Sequence, residues 1–334
     1  MWRALAWLAL AVTPAQAQDD PAARPSIIAP LAARSLLIDL APAGERIFTV
    51  GERGHVLFST DRGNTWTQVQ TPGSATLTAV YFADAKHGWA VGHAEMMLRT
   101  ADGGEHWERT HFEPVDAQPL LDVWFADPSR GLAVGAYGVV YATSDGGRVW
   151  SQVPFEPAPL AGAAEVAAED EDQMDLGYEF HLNAIARGPG QRLYLGAEAG
   201  RLFRSDDDGA TWRELPSPYD GSFHGILPLD GDSLLVFGLR GNLFRSDDGG
   251  TTWTGIETGT SSLLGAGARV DADTVVVVGT AGVMLVSRDR GLTFMLTQQD
   301  DRKAISAVLP SGDGELIVAG EGGVRRLPVP GAVP

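Results

Sequence analysis

The sequence predicts a seven-bladed β-propeller of four-stranded antiparallel blades, which is an all-β fold. Three observations lead to this prediction. An octapeptide motif recurs six times, its aspartates are 41, 43, 62, 41 and 41 residues apart, and strand-like segments precede every copy in the same order. A repeat of about 40 to 45 residues is typical of propeller blades, each of which is one supersecondary unit.

In each octapeptide a Ser or Thr is followed at fixed offsets by Asp, Gly and an aromatic residue. We interpret the motif as a structural staple, because a turn carboxylate accepts backbone N–H groups and the aromatic ring is buried. Calcium loops alternate their ligands and end in a distal Glu, a pattern that the motif lacks. The staple residues are Asp61, Trp66, Asp102, Trp107, Asp145, Trp150, Asp207, Trp212, Asp248, Trp253, Asp289 and Phe294.

Each repeat reads as four strands, which we call a, b, c and d. Strand a is followed by strand b, a turn that contains glycine, strand c, the octapeptide and then strand d, which carries the aromatic residue. In the second repeat, for example, strand a is 77–82 and strand b ends at Val91-Gly92. The runs are rich in β-branched and aromatic residues, as strands prefer, and glycine allows the turns between them.

A seventh repeat, which includes residues 317–327, has strands a, b and c but no octapeptide and no strand d. A propeller that does not close its ring exposes sheet edges. We therefore predict that the N-terminal segment 26–31 supplies the missing outer strand. Pro30 suits this position, since proline is tolerated in edge strands.

Residues 1–17 have the features of a secretory signal peptide, namely Arg3, a short apolar run and a small-residue site predicting cleavage after Ala17. Residues 18–334 then form a single propeller domain with blades from about residue 35, and we expect a periplasmic monomer. The formal charge of −18 argues against nucleic acid and anionic lipid as partners. With no cysteine and scattered histidines, the sequence predicts no metal site, no cofactor and no catalytic residues.

The octapeptides are c–d turns, which share one face of the ring with the a–b turns. The opposite face carries the b–c turns and the d–a links, so we expect binding there. Link 155–180 holds an acidic insertion, which is either a solvated loop or a lid or docking arm for a partner. The candidate binding residues are Glu52, Arg53, His93, Glu95, Tyr137, Tyr178, Glu198, Tyr219, Arg240 and Glu321.

The octapeptide is the Asp-box of bacterial neuraminidase repeats, and we use that name below. The segment Gly-Trp-Ala-Val-Gly at 88–92, followed by Leu-Arg-Thr-Ala-Asp-Gly-Gly-Glu-His-Trp at 98–107, is more specific. It resembles the photosystem II assembly and stability factor family and its relatives in non-photosynthetic bacteria. The resemblance spans about residues 35–327.

This resemblance implies a non-enzymatic assembly factor, or scaffold, for a membrane or envelope protein complex on the exported side. An exporter of the resistance–nodulation–division type is one implied client. The photosynthetic members are described as meeting their client with a basic patch, from which this acidic chain departs.

The alternative is a sialidase-like Asp-box glycoside hydrolase that acts on exported or extracellular glycans. Such enzymes need an arginine triad, a Tyr nucleophile with a Glu partner and an acid. The Arg-Ile-Pro signature is absent from the sequence, and the neighbours Tyr178 and Glu179 would face opposite ways on a strand. The sequence therefore favours the scaffold over the hydrolase.

Overall fold

The computed structural model describes residues 20–115, 118–160, 180–312 and 314–331. Over this part of the chain it shows seven separate antiparallel sheets, each a simple meander of consecutive strands. Strand a of every sheet contacts strand a of the next, and the seventh sheet returns to the first. The predicted seven-bladed β-propeller is thus confirmed.

The strands of blades 1 to 4 are β1 Leu37–Ala43, β2 Arg46–Gly51, β3 Val56–Ser59 and β4 Thr67–Val69; β5 Leu77–Phe82, β6 Gly88–Gly92, β7 Met97–Thr100 and β8 Glu108–His111; β9 Leu120–Phe125, β10 Gly131–Gly135, β11 Val140–Thr143 and β12 Ser151–Gln152; β13 Leu182–Arg187, β14 Leu193–Ala197, β15 Leu202–Ser205 and β16 Arg213–Glu214. The strands of blades 5 to 7 are β17 Phe223–Pro228, β18 Leu234–Gly238, β19 Leu243–Ser246 and β20 Thr254–Gly255; β21 Leu264–Arg269, β22 Val275–Gly279, β23 Val283–Ser287 and β24 Met295–Gln298; β25 Ile305–Pro310, β26 Glu315–Gly320 and β27 Arg325–Pro328.

The b strands form the core of the blades. In blades 2 to 6 every residue of strand b is buried, because neighbouring blades cover both faces of the sheet. This explains why these strands are nearly continuous runs of Val, Leu, Ala and aromatic residues rather than alternating polar and apolar ones. In the described part of the chain, no helix has the length and hydropathy needed to span a bilayer.

The predicted closing strand is wrong. Blade 7 has three strands among the described residues, and segment 26–31 forms no strand. The segment instead lies against blade 1, where Ala29 N–H donates to Gln68 Oε1 at 2.8 Å and Gln68 Nε2 donates to Ile27 O at 3.0 Å. Side-chain amides of blade 1 hold the backbone that we expected to pair with blade 7.

The ring closes by packing between blades 7 and 1 rather than by a shared sheet. A buried apolar cluster joins the two blades and contains Ala32, Leu37, Leu40, Leu57, Ala307, Ile317 and Ala319. The hydroxyl of Ser306 also donates to Leu37 O at 2.9 Å, and Val324 N–H donates to Ala33 O at 3.0 Å. The N-terminal segment therefore bridges the seam without adding a strand to it.

Each Asp-box folds around its first hydroxyl. In blade 1 the Ser59 hydroxyl accepts from Gly63 N–H at 2.8 Å and donates to Asp61 Oδ1 at 2.8 Å. Asp61 in turn accepts from the N–H and the hydroxyl of Thr65, and these hydrogen bonds lower the pKa of Asp61 to about 2. The bond from glycine to hydroxyl recurs in all six copies, at 2.8 to 3.0 Å. Of the six aromatic residues only Trp107 is fully buried, and the others are half-buried.

The Asp-box glycine also joins neighbouring blades. Gly104 has φ +84, and a Cβ there would lie 2.3 Å from Cζ of Phe48, a core residue of the preceding blade. A bare Cα is therefore needed both for the left-handed backbone and for the close approach of the ring. Other Asp-box glycines approach the preceding blade in the same way, in the pairs Gly63 with Ile317, Gly147 with Trp89, Gly209 with Leu132 and Gly291 with Leu235.

Replacing Gly104 by alanine should therefore destabilise the ring by more than the cost of left-handed strain alone. Gly190 is a matched control, because it has φ +67 and nothing lies within 4 Å of its missing Cβ. We expect Gly190→Ala to cost about 1 kcal/mol and Gly104→Ala about 1–3 kcal/mol more, from overpacking against Phe48. Urea unfolding of both variants measures the difference, and equal losses would show that the glycine serves only the turn.

Candidate functional site

The b–c turns have one shared construction. The residue after strand b donates its N–H to the carbonyl just before strand a, as from His93 to Thr76 O at 2.9 Å. A Cβ on Gly92 would lie 2.1 Å from the same Thr76 oxygen, so the Val-Gly pair in the sequence marks this close approach. The residue directly after this N–H donor adopts a left-handed conformation in six blades. These residues are Arg53, Ala94, Tyr137, Ala199, Arg240 and Ala281.

The structure places the candidate binding residues in environments of three kinds. One candidate, Tyr178, lies outside the described residues. Glu95 is buried, and Glu52, Glu198 and Tyr219 are half-buried. The side chains that are exposed on the face of the b–c turns are those of Arg53, His93, Tyr137, Arg240 and Glu321.

Glu95 is not a surface residue, contrary to our expectation. Its carboxylate accepts from the Tyr141 hydroxyl at 2.6 Å and from Gln118 N–H at 3.1 Å, and it lies 3.1 Å from His111 Nε2. It therefore joins blade 2 to blade 3 inside the protein. Glu95 occupies the third position of its b–c turn, where Gly54, Gly241 and Gly282 are also buried in other blades.

Three other candidates have structural roles. One carboxylate oxygen of Glu198 accepts from His181 N–H at 3.1 Å, and one of Glu321 accepts from Ala304 N–H at 2.9 Å. Tyr219 packs its ring near Phe223 and Phe244, with ring centroids 6.0 and 6.2 Å apart. These contacts hold the links of the face in place.

The two ends of the acidic insertion meet on one buried residue. Phe155 packs edge-on against Phe203 with ring centroids 5.0 Å apart, and Phe180 stacks on Phe203 at 5.8 Å. Ala158 also forms a parallel bridge to Arg213, in the outer strand of blade 4. Residues 161–179 lie outside the described residues, so the solvated loop and the docking arm remain alternatives.

Sequence reasoning missed a belt of polar residues around the central channel. Asp39 Oδ2 of blade 1 accepts from Val80 N–H of blade 2, and Asp122 Oδ2 of blade 3 accepts from Ile185 N–H of blade 4, each at 2.8 Å. Both carboxylates therefore latch one blade to the next. The sequence signal that could have revealed these two residues is a charged side chain at the third position of strand a.

Hydroxyl and amide side chains at the second position of strand a complete the belt in blades 2, 4 and 7. At this position the pairing register between strands a and b shifts. Thr78 donates to Leu120 O at 2.7 Å, Asn183 to Phe223 O at 2.8 Å and Ser306 to Leu37 O at 2.9 Å. Together with the aspartates these bonds cross five of the seven blade interfaces. The polar residues around the channel therefore connect neighbouring blades.

The channel wall changes the acidity of the two latch carboxyls. Burial raises the pKa of Asp39 from 3.8 to about 6, against the N–H bonds that lower it. Burial and the nearby charge of Asp39 raise the pKa of Asp122 to about 7. Both side chains border the open channel and are only part-buried, so contact with water reduces the effect of these pKa shifts on stability.

The described residues offer little to a hydrolase. Tyr141 and Glu95 form the tyrosine–glutamate hydrogen bond of 2.6 Å, but both side chains are less than a tenth exposed and cannot meet a glycan. Among the described residues there is no group of three or more His, Asp or Glu side chains placed to hold a metal ion. On the face of the b–c turns, the accessible side chains are instead those of Arg53, His93, Tyr137, Arg240 and Glu321.

The fold and its six staples define an Asp-box β-propeller with exposed side chains on its b–c turns. Two overlapping matches to the family model "Photosynthesis system II assembly factor YCF48", at residues 59–157 and 114–260, together cover residues 59–260, which is 202 of 334 residues. The chain therefore belongs to the photosynthesis system II assembly factor YCF48 family. Family membership favours a non-enzymatic role.

Curated relatives match over short segments. The photosystem II stability/assembly factor HCF136 of Cyanidioschyzon merolae is 42% identical over 67 residues, 20% of this chain and 15% of that protein. HCF136 of Arabidopsis thaliana is 29% identical over 106 residues, 29% of this chain and 26% of that protein. The matched segments thus cover about a quarter or less of these relatives.

Solved structures are similar over nearly the whole chain. The structure "YCF48 bound to D1 peptide" aligns with a TM-score of 0.67 at 19% identity, covering 89% of this chain and 94% of that one. YCF48 from Cyanidioschyzon merolae aligns with a TM-score of 0.65 at 18% identity, covering 88% and 96%. At these identities the similarity demonstrates the shared propeller fold.

The raised pKa of Asp122 predicts a pH dependence of stability. Between pH 4 and pH 7 the folded chain binds more protons at this carboxyl than the unfolded chain, so the free energy of unfolding falls as pH rises through that window. Asp122→Asn, which cannot ionise, should have a flatter stability profile there, measured by urea unfolding at several pH values. Asp300→Asn, an exposed control, should follow the wild type. Parallel profiles for all three proteins would contradict the prediction.

Proposed function

We propose that this chain is a non-enzymatic assembly factor that binds a segment of a membrane protein complex on the face of its b–c turns and d–a links. The observation that carries the proposal is the family match over residues 59–260. It is supported by a similar solved propeller, YCF48, whose structure is described as bound to a D1 peptide.

The choice of face follows from how the two faces use their side chains. On the Asp-box face the motif carboxylates are occupied by hydrogen bonds within their own turns. On the opposite face, Arg53, His93, Tyr137 and Arg240 extend from turns whose conformation is fixed by backbone bonds. Exposed side chains on a rigid scaffold are suited to recognising a partner.

The finer parts of the proposal concern location and client. We infer export to the periplasm from the signal-peptide features of residues 1–17, and we expect the mature protein to act as a monomer. A resistance–nodulation–division exporter is one membrane complex that such a factor could serve.

The test of location is cell fractionation of the C-terminally tagged full chain. We expect the protein in the periplasmic fraction with a mature N-terminus at Gln18, because cleavage is predicted after Ala17. An unprocessed chain in the cytoplasm would overturn the export proposal.

The test of the binding face is photo-cross-linking in intact cells. A photoreactive residue replaces His93 or Arg240 on the face of the b–c turns, or Arg62 or Arg148, which are exposed on the Asp-box face. We expect adducts to an exported-side segment of an integral membrane protein from the first pair only, identified by mass spectrometry of the joined peptides. Equal adducts from both pairs, or adducts to soluble proteins alone, would contradict the proposal.

A further inference from the structure

We propose that the part of this face around Tyr137 binds a cationic segment of the client, with a Lys or Arg side chain against the tyrosine ring. This inference rests on the proposed function, because it assigns a chemical class to the partner of the same face. Three observations carry it: the exposure of Tyr137, its neighbours, and the distribution of charge around the ring.

The fold does not require an aromatic residue at position 137. Tyr137 has φ +53, a conformation that bulky residues rarely adopt, and its side chain is 58% exposed. The same turn position holds Ala94, Ala199 and Ala281 in other blades, with the same left-handed backbone. A large exposed ring where alanine suffices points to a role in recognition, since tyrosine is enriched at binding hot spots.

One histidine contacts both the ring of Tyr137 and a carboxylate. His181 meets the ring edge-to-face, with centroids 4.9 Å apart and planes at 81°. Nδ1 of His181 lies 3.6 Å from Oε1 of Glu198, whose side chain is 36% exposed. An aromatic face with a carboxylate nearby is the combination that attracts an ammonium or guanidinium group.

The described parts of the d–a links on this side of the face carry exposed charges of one sign. Exposed Glu113, Glu156 and Asp220 lie on the links that follow blades 2, 3 and 4, and blades 3 and 4 carry Tyr137 and Glu198. The one arginine of the neighbouring b–c turn, Arg201, is 3.2 Å from Glu214 and lies over the Phe180 ring. In blades 1 and 5 the position of Tyr137 is taken by exposed Arg53 and Arg240, which repel cations. A cationic segment is therefore drawn to blades 2 to 4 and away from those turns.

The test uses the mature full chain and two soluble fluorescent peptides, Gly-Leu-Lys-Gly-Leu-Lys-Gly and its counterpart with Glu for Lys. Binding is measured by fluorescence anisotropy at low salt. We expect the Lys peptide to bind in preference to the Glu peptide. Tyr137→Ala should weaken it about fivefold, whereas Tyr137→Phe, which keeps the ring, should bind nearly as well as the wild type.

Two further variants serve as controls. Glu198→Gln should weaken binding of the Lys peptide and reduce its salt dependence, because it removes the nearby charge. Arg240→Ala, at the same turn position in blade 5, should not weaken it. Circular dichroism confirms folding of each variant, and Tyr137→Ala reproduces the residue of three other blades.

The inference is overturned if the Glu peptide binds as well as the Lys peptide, if neither binds, or if Tyr137→Ala and Arg240→Ala have equal effects. Such results leave the proposed function standing as long as His93 and Arg240 cross-link to a membrane protein. Conversely, cross-links confined to the Asp-box face would remove the proposed function even if the Lys peptide binds at Tyr137. The two failures are therefore distinguishable.

Discussion

The hydrogen bond from an Asp-box glycine N–H to the first hydroxyl of the motif, 2.8 Å long between Gly63 and Ser59, is the interaction on which the ring depends. It fixes the c–d turn and holds the glycine in the left-handed region with its bare Cα facing the preceding blade. A core side chain of that blade, such as Phe48 against Gly104, fills the space. One local bond thus sets both the shape of a blade and its distance from the next.

The ring is held at two radii by different physical means. Toward the Asp-box face the blades meet by close packing against glycine. Around the channel they are joined by Asp39, Asp122 and the hydroxyl and amide donors of strand a. The hydrogen bonds within the Asp-box turns and those around the channel occupy the polar groups of both regions. On the face of the b–c turns, side chains such as Tyr137 are exposed while the turn backbone already makes its own hydrogen bonds.

The fold could be predicted from sequence because the repeat is local. The spacing of the repeats, the Val-Gly pairs and the Asp-box each describe a single blade. The features that sequence did not reveal are contacts between blades. Gln68 in β4 gave no sign that its amide would hold the backbone of Ile27 and Ala29, and so segment 26–31 was placed in the wrong blade. Glu95 read as a turn residue on the surface, and only the approach of Tyr141 from blade 3 shows that it is buried.

The clamp of Phe155 and Phe180 on Phe203 has a consequence for how the protein can evolve. Both ends of the acidic insertion are fixed at one point in the core of blade 4, so the ring meets this segment at two anchored ends. Lengthening a loop whose ends are already held costs little entropy, since the cost grows only with the logarithm of its length. We therefore expect changes in the length of the sequence between these two phenylalanines to cost the propeller little stability.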